Sequence, residues 1–248
     1  LVANLVKAIL YPGVNLHARE RYTLVPSRFG AEMAEDARVL DVGCGNGMLC
    51  YQAWRRGAKV LGITIKEGER RGCSSYFNEF RKIPPVRLGF VRSTIFEFQG
   101  DPAGYDAVIC TDVLEHLKDD VDAVRKMYSL LKPGGRAYLT VPNASHPYNT
   151  NFPLDMEGKG GHVRSGYTTE TLRAPVETAG FQIEEMAGFG GPIRQAFNSS
   201  IKVVQERFGA AAGLPLFLLA LPFLPLDPKQ LQLPFGLFAR CRKPLGRE

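Results

Sequence analysis

Between residues 39 and 143, short apolar runs alternate with amphipathic stretches. The runs at 39–42, 59–63, 86–91, 105–110 and 136–141 read as buried strands. Helical spacing covers about 47–56, 67–80 and 113–131, and a short turn is expected near 94–98. Strands alternating with helices predict a parallel sheet covered on both faces. The sequence LLKPGG ends the third helix with a proline and the glycines that favour a helix C-terminus. A loop of some twenty residues follows Asn143, rich in Pro, Asn, Gly and His. A helix at 168–179 and a strand at 181–187 come next, and LPFGLFARCRK (233–243) reads as a last strand. Residues 188–231 break this rhythm with an amphipathic stretch at 193–208 and an apolar run, LPLFLLALPFLPL, at 214–226.

That run is about 20 Å long as a helix, short of the roughly 30 Å of a bilayer core. Extended back to Phe208 it is long enough, but Gly209, Gly213, Pro215, Pro222 and Pro225 interrupt it. The chain must also return to supply the final strand, so a span is set aside. An irregular cap remains, either packed on the core or touching lipid. Basic residues flank the run (Lys202, Arg207, Lys229), so a peripheral membrane contact through 208–226 fits the charge.

Composition changes the picture little. The net charge of +6 is diffuse and does not trace a nucleic-acid track. The five cysteines form no CxxC pair and read as buried thiols in a reducing compartment, which points to the cytoplasm. Residues 1–30 read as a helical segment, and no small-residue cleavage motif of a signal peptide follows the apolar start.

The strongest chemical signal is VLDVGCGNG, residues 39–47. A buried strand carrying Asp41 leads into a loop whose glycines (Gly43, Gly45, Gly47) allow a tight turn and close approach by a ligand. A helix N-terminus follows. An acid in front of such a loop repels a pyrophosphate and suits a ligand with an ammonium group, as S-adenosylmethionine (SAM) has.

With this motif, YDAVICTDVLEHL and LLKPGGRAYLTVPN, residues 39–187 resemble a class I SAM-dependent methyltransferase. HVRSGYTTETLRAPVETAGF is similar to the branch acting on quinones, lipids and small molecules. The resemblance implies an α/β fold: a doubly wound, Rossmann-like, seven-stranded, mostly parallel sheet with an antiparallel last strand. Residues 1–248 would form one domain, with 188–231 as a cap insertion between the last two strands. Cofactor contacts are expected from Asp41, Gly43, Cys44, Gly45, Gly47, Thr64, Ile65, Ser93, Thr94, Ile95, Thr111 and Asp112. Two positions depart from the family. Thr64 stands where an acid usually grips the ribose, and Ser93 where an Asp often meets the adenine.

Asp112, Glu115 and His116 have i, i+3, i+4 spacing, so a helix would put them on one face. In ubiquinone-type relatives a similar cluster is associated with a divalent metal. Asp-x-x-Glu is equally a capping box, and the expectation adopted is that no metal is bound. His116 is a candidate base. His146, Tyr148, His162, Arg164 and Tyr167 are candidates on the acceptor side. His162 with Tyr167 would take a proton from a hydroxyl, or HVR would latch a loop over the cofactor. The function expected is methyl transfer from SAM to a hydrophobic small molecule or lipid-like acceptor. A soluble sugar or natural-product acceptor, and a non-catalytic SAM-fold binding protein, are the alternatives. Nucleic acid is not expected as a partner, since CTDVLEH replaces the Pro-Pro-aromatic motif of amino-methylating enzymes.

Overall fold

A computed structural model of the protein describes residues 11–155, 161–228 and 230–246. Seven strands form one sheet in the order β3-β2-β1-β4-β5-β7-β6. They are β1 (Arg38–Val42), β2 (Lys59–Thr64), β3 (Leu88–Arg92), β4 (Tyr105–Thr111), β5 (Leu131–Pro142), β6 (Gln182–Phe189) and β7 (Gly236–Arg242). The first five pair in parallel, and β7 runs antiparallel to both β5 and β6. The doubly wound sheet with an antiparallel last strand is therefore as the sequence implies.

Burial explains why the central strands are almost wholly apolar. Along β1 and β4, Leu40, Val108 and Cys110 face one core cluster, with Val124, Met127, Leu172 and Val176. The alternate residues Val39, Ala107 and Ile109 face the other, with Leu49, Ala53, Cys73 and Phe77. A strand covered on both faces has no polar side to show. The covering helices are α1 (Leu16–Ser27), α2 (Met48–Trp54), α3 (Glu67–Cys73, continued as a π-helix at Ser74–Phe80), α4 (Asp120–Leu130) and α6 (Thr169–Thr178). A short α5 (Pro147–Thr150) lies in the loop after β5. Within the segment 1–30, α1 covers Leu16–Ser27, and residues 1–10 lie outside the described residues.

Two local expectations fail. The helix expected over 113–131 is split into a 3-10 turn at Leu114–His116 and α4 beginning at Asp120. No side-chain capping bond forms at that turn, so the Asp-x-x-Glu capping box is absent. Asp112 has a φ of 52°, which turns the chain out of the sheet before a helix can start.

The apolar run also differs from an irregular cap. Between β6 and β7 lie α7 (Pro192–Phe208), a 3-10 turn, α8 (Leu214–Ala220) and a second 3-10 turn at Leu224–Leu226. Pro215 sits in the first turn of α8, where its missing N–H costs nothing. Phe217 and Ala220 are buried with Leu16 of α1 and Ile201 of α7. Leu218, Leu219, Leu221, Phe223 and Leu226 are 42–65% exposed. Among the described residues, no helix is long and apolar enough to cross a membrane.

Candidate active site

The carboxyl ends of β1, β2 and β4 open into a cavity of about 550 Å³. Of the residues expected to hold the cofactor, Gly43, Cys44, Gly45, Thr64, Ile65, Ser93, Thr94, Ile95, Thr111 and Asp112 line it, and so does His116. Asp41 and Gly47 do not. Gly47 caps α2 with a φ of 78°, and a Cβ there would meet Phe77 at 2.8 Å, so its role is to seat the helix on the core. Gly43 is similar: its Cβ would lie 2.3 Å from Val113. Gly45 alone of the three faces open space, with only its neighbour's carbonyl 3.9 Å away and a φ of 52°. It is the position at which a ligand can lie directly on the backbone.

Asp41 is buried behind the loop. Cys50 Sγ donates to its Oδ2 at 3.0 Å, and Oδ1 has no partner. Burial raises its pKa to about 7. This orphaned carboxylate oxygen beneath a glycine loop fits a cationic ligand headgroup above it, though it does not form the cavity wall.

Sequence reasoning missed Arg21, Lys66 and Glu69, which also line the cavity. Arg21 reaches in from α1 and pairs with Asp112 at 2.5 Å, while the Thr140 hydroxyl donates to the other oxygen of Asp112 at 3.0 Å. The apolar insertion meets the site only through α1. No residue of 208–226 lines the cavity, but Phe217 and Ala220 pack on the helix that carries Arg21. A cation delivered by a separate helix leaves no local motif, which is why the sequence did not reveal it.

Behind the cavity wall at His116, the side chains of Glu115 and His162, which do not line the cavity themselves, come together with it. One ligand atom from each lies within 4.8 Å of the others. The two imidazole rings meet edge-on at 4.6 Å. His116 Nδ1 is 3.0 Å from the Gly161 carbonyl; a carbonyl only accepts, so Nδ1 carries the proton and Nε2 is the basic nitrogen. Burial, then the neighbouring His116, lowers the pKa of His162. Glu115 is buried with both oxygens unpartnered, and burial raises its pKa well above the usual carboxylate range. Asp112 is not part of this group, since its carboxylate faces Arg21 and Thr140.

Tyr167 does not act here. It is buried, and its hydroxyl donates to Asp120 at 2.6 Å and accepts from Arg164 at 2.8 Å. Arg164 also pairs with Asp120 and donates to the Leu117 and Lys118 carbonyls. These bonds fix the loop before α6 against the start of α4, so Arg164 and Tyr167 hold loop to helix. His146 caps α5, and the Tyr148 hydroxyl accepts from Lys202. A second cavity, of about 580 Å³, lies between the start of α6 and residues 231–234, away from the glycine loop.

Residues 14–186 match the family described as a methyltransferase domain. The chain belongs to the class I SAM-dependent methyltransferases. Its relatives include the ubiquinone biosynthesis O-methyltransferases of Saccharophagus degradans (28% identical, 72% of this chain and 77% of the relative) and Marinobacter nauticus (32%, 61% and 66%). The chain thus spans just under two thirds of the latter. The methyltransferase also superposes on Haemonchus contortus phosphoethanolamine N-methyltransferase 2 in complex with SAM, with a TM-score of 0.65 at 19% identity over 91% of this chain and 52% of that one. The cofactor of the methyltransferase is S-adenosylmethionine, and the cavity at the glycine loop fits it.

Proposed function

We propose that this methyltransferase transfers the methyl group of SAM to a hydroxyl oxygen of a hydrophobic small molecule or lipid-like acceptor. The observation that carries the reading is His116 on the cavity wall with His162 behind it, the basic nitrogen of His116 being fixed by the Gly161 carbonyl. A sulfonium needs no further activation, so the protein must hold oxygen, methyl and sulfur in line and exclude water. As the S–CH₃ bond breaks and the O–CH₃ bond forms, the hydroxyl proton passes to imidazole, leaving S-adenosylhomocysteine and a methyl ether. The apolar walls Val113, Phe96 and Leu117 and the ubiquinone O-methyltransferase relatives support a hydrophobic acceptor. An ortho-dihydroxyaromatic with a prenyl tail should show at least a tenfold lower KM than its tail-less analogue. Equal KM values would favour the sugar or soluble natural-product alternative.

A peripheral, cytoplasmic-face membrane contact through 208–226 belongs to the same proposal. Its support is the exposed apolar face of α8 and the following turn, which is larger than scattered surface leucines. The double substitution Leu218→Glu, Leu219→Glu should abolish flotation with vesicles containing phosphatidylglycerol and leave methylation of the tail-less analogue unchanged. Equal flotation of both proteins would remove the membrane contact from the proposal.

A second reading has one specific observation behind it. Two imidazoles and an orphaned buried carboxylate are a donor set that suits a divalent ion. Glu115, His116 and His162 would hold it, and it would lower the pKa of an acceptor hydroxyl.

A further inference from the structure

A nucleoside in the cavity must place its ribose diol against acceptors, and among the described residues the cavity presents two carboxylates, Asp112 and Glu69. Asp112 is engaged by Arg21 and Thr140 on the β4 side. Glu69 stands on the β2 side, in the first turn of α3, and turns back toward the end of the strand. The buried Thr64 hydroxyl donates to its Oε2 at 2.6 Å, and its Oε1 lies 3.5 Å from Lys66 Nζ. The helix gains no cap from this inward turn, since no side-chain capping bond forms at Lys66. Arg70 and Arg71, the other cations of the turn, pair with Glu67 instead. The inward carboxylate is therefore left to serve the cavity.

We propose that Glu69 receives the ribose hydroxyls of SAM, with Thr64 as its positioning partner, so that the missing strand-end acid has moved five residues along the chain into α3. Thr64 holds one carboxylate oxygen, and the two oxygens together offer enough lone pairs to accept from both hydroxyls. The inference depends on the cofactor and is independent of the acceptor proposed above.

The test is calorimetric titration with S-adenosylhomocysteine and with its 2′-deoxy analogue, run alongside thermal melts. Glu69→Ala should weaken the parent ligand about tenfold to a hundredfold and the 2′-deoxy analogue clearly less. Glu69→Gln, which preserves shape, should fall between Glu69→Ala and the native protein. Thr64→Asp alone should also weaken binding, because two carboxylates would then face each other, whereas Thr64→Asp with Glu69→Ala should recover most of the affinity. Parent-ligand affinity within threefold of native for both Glu69 variants would overturn the assignment, as would equal losses for the parent and deoxy ligands.

Discussion

Gly45→Val is expected to reduce S-adenosylhomocysteine affinity by at least about a hundredfold while the protein still melts cooperatively, a few degrees below the native chain. The three glycines of the loop point into different surroundings. A Cβ on Gly43 would strike Val113 of the cavity wall and one on Gly47 would strike Phe77 of the core, so neither position has room for a side chain. A Cβ on Gly45 would meet nothing closer than a carbonyl at 3.9 Å, so a branched side chain would fill the space reserved for the ligand. The residue would also have to hold a φ of 52°, a strain of roughly 1–3 kcal/mol, which sets the small fall in melting temperature. Gly43→Ala should behave oppositely, with its main effect on stability. Calorimetry paired with melting curves reads both. Native-like affinity in Gly45→Val would mean that the cofactor does not rest on this loop.

His116→Ala should lower turnover of a dihydroxyaromatic acceptor by about two to four orders of magnitude, the usual contribution of a general base, with cofactor affinity changed little. His162 beside it has a lowered pKa through burial and the adjacent ring. It therefore stays uncharged beside the base at neutral pH. A base works deprotonated, so the rate rises with pH through an acid limb, and protonation of the lowered His162 beside it adds to that limb only below the ordinary imidazole range. Activity that survives a chelator, with that acid limb intact, is the expected result. Loss of activity on chelation, matched by calorimetric uptake of a divalent ion that Glu115→Gln abolishes, would instead select the metal reading.

Much of the sheet was legible because its strands are buried on both faces, which leaves unbroken apolar runs between glycine and proline punctuation. The glycine loop was legible from its pattern, and Thr64, Ser93, Thr94 and Ile95 were implied by the family resemblance; Gly43, Gly45 and these four residues line the cavity, and Gly47 does not. What escaped was tertiary in origin. Asp112 takes a left-handed backbone and breaks the expected helix, which no periodicity reveals. Tyr167 was read as chemical because it lies near His162 in sequence, yet packing turns it toward Asp120. Arg21 and Glu69 reach the site from helices whose own sequences carry no functional pattern. The apolar run suggested an irregular cap packed on the core or touching lipid. It instead forms a short helix that braces α1 with one face and exposes the other.

The central claim, a hydroxyl of a hydrophobic acceptor, is tested most directly by incubating the protein with methyl-labelled SAM and a fractionated cell extract. The label should enter the organic phase as an acid-stable O-methyl ether, and do so in the native protein but not in His116→Ala. Label confined to the aqueous phase, or carried on nitrogen or carbon, would contradict the account.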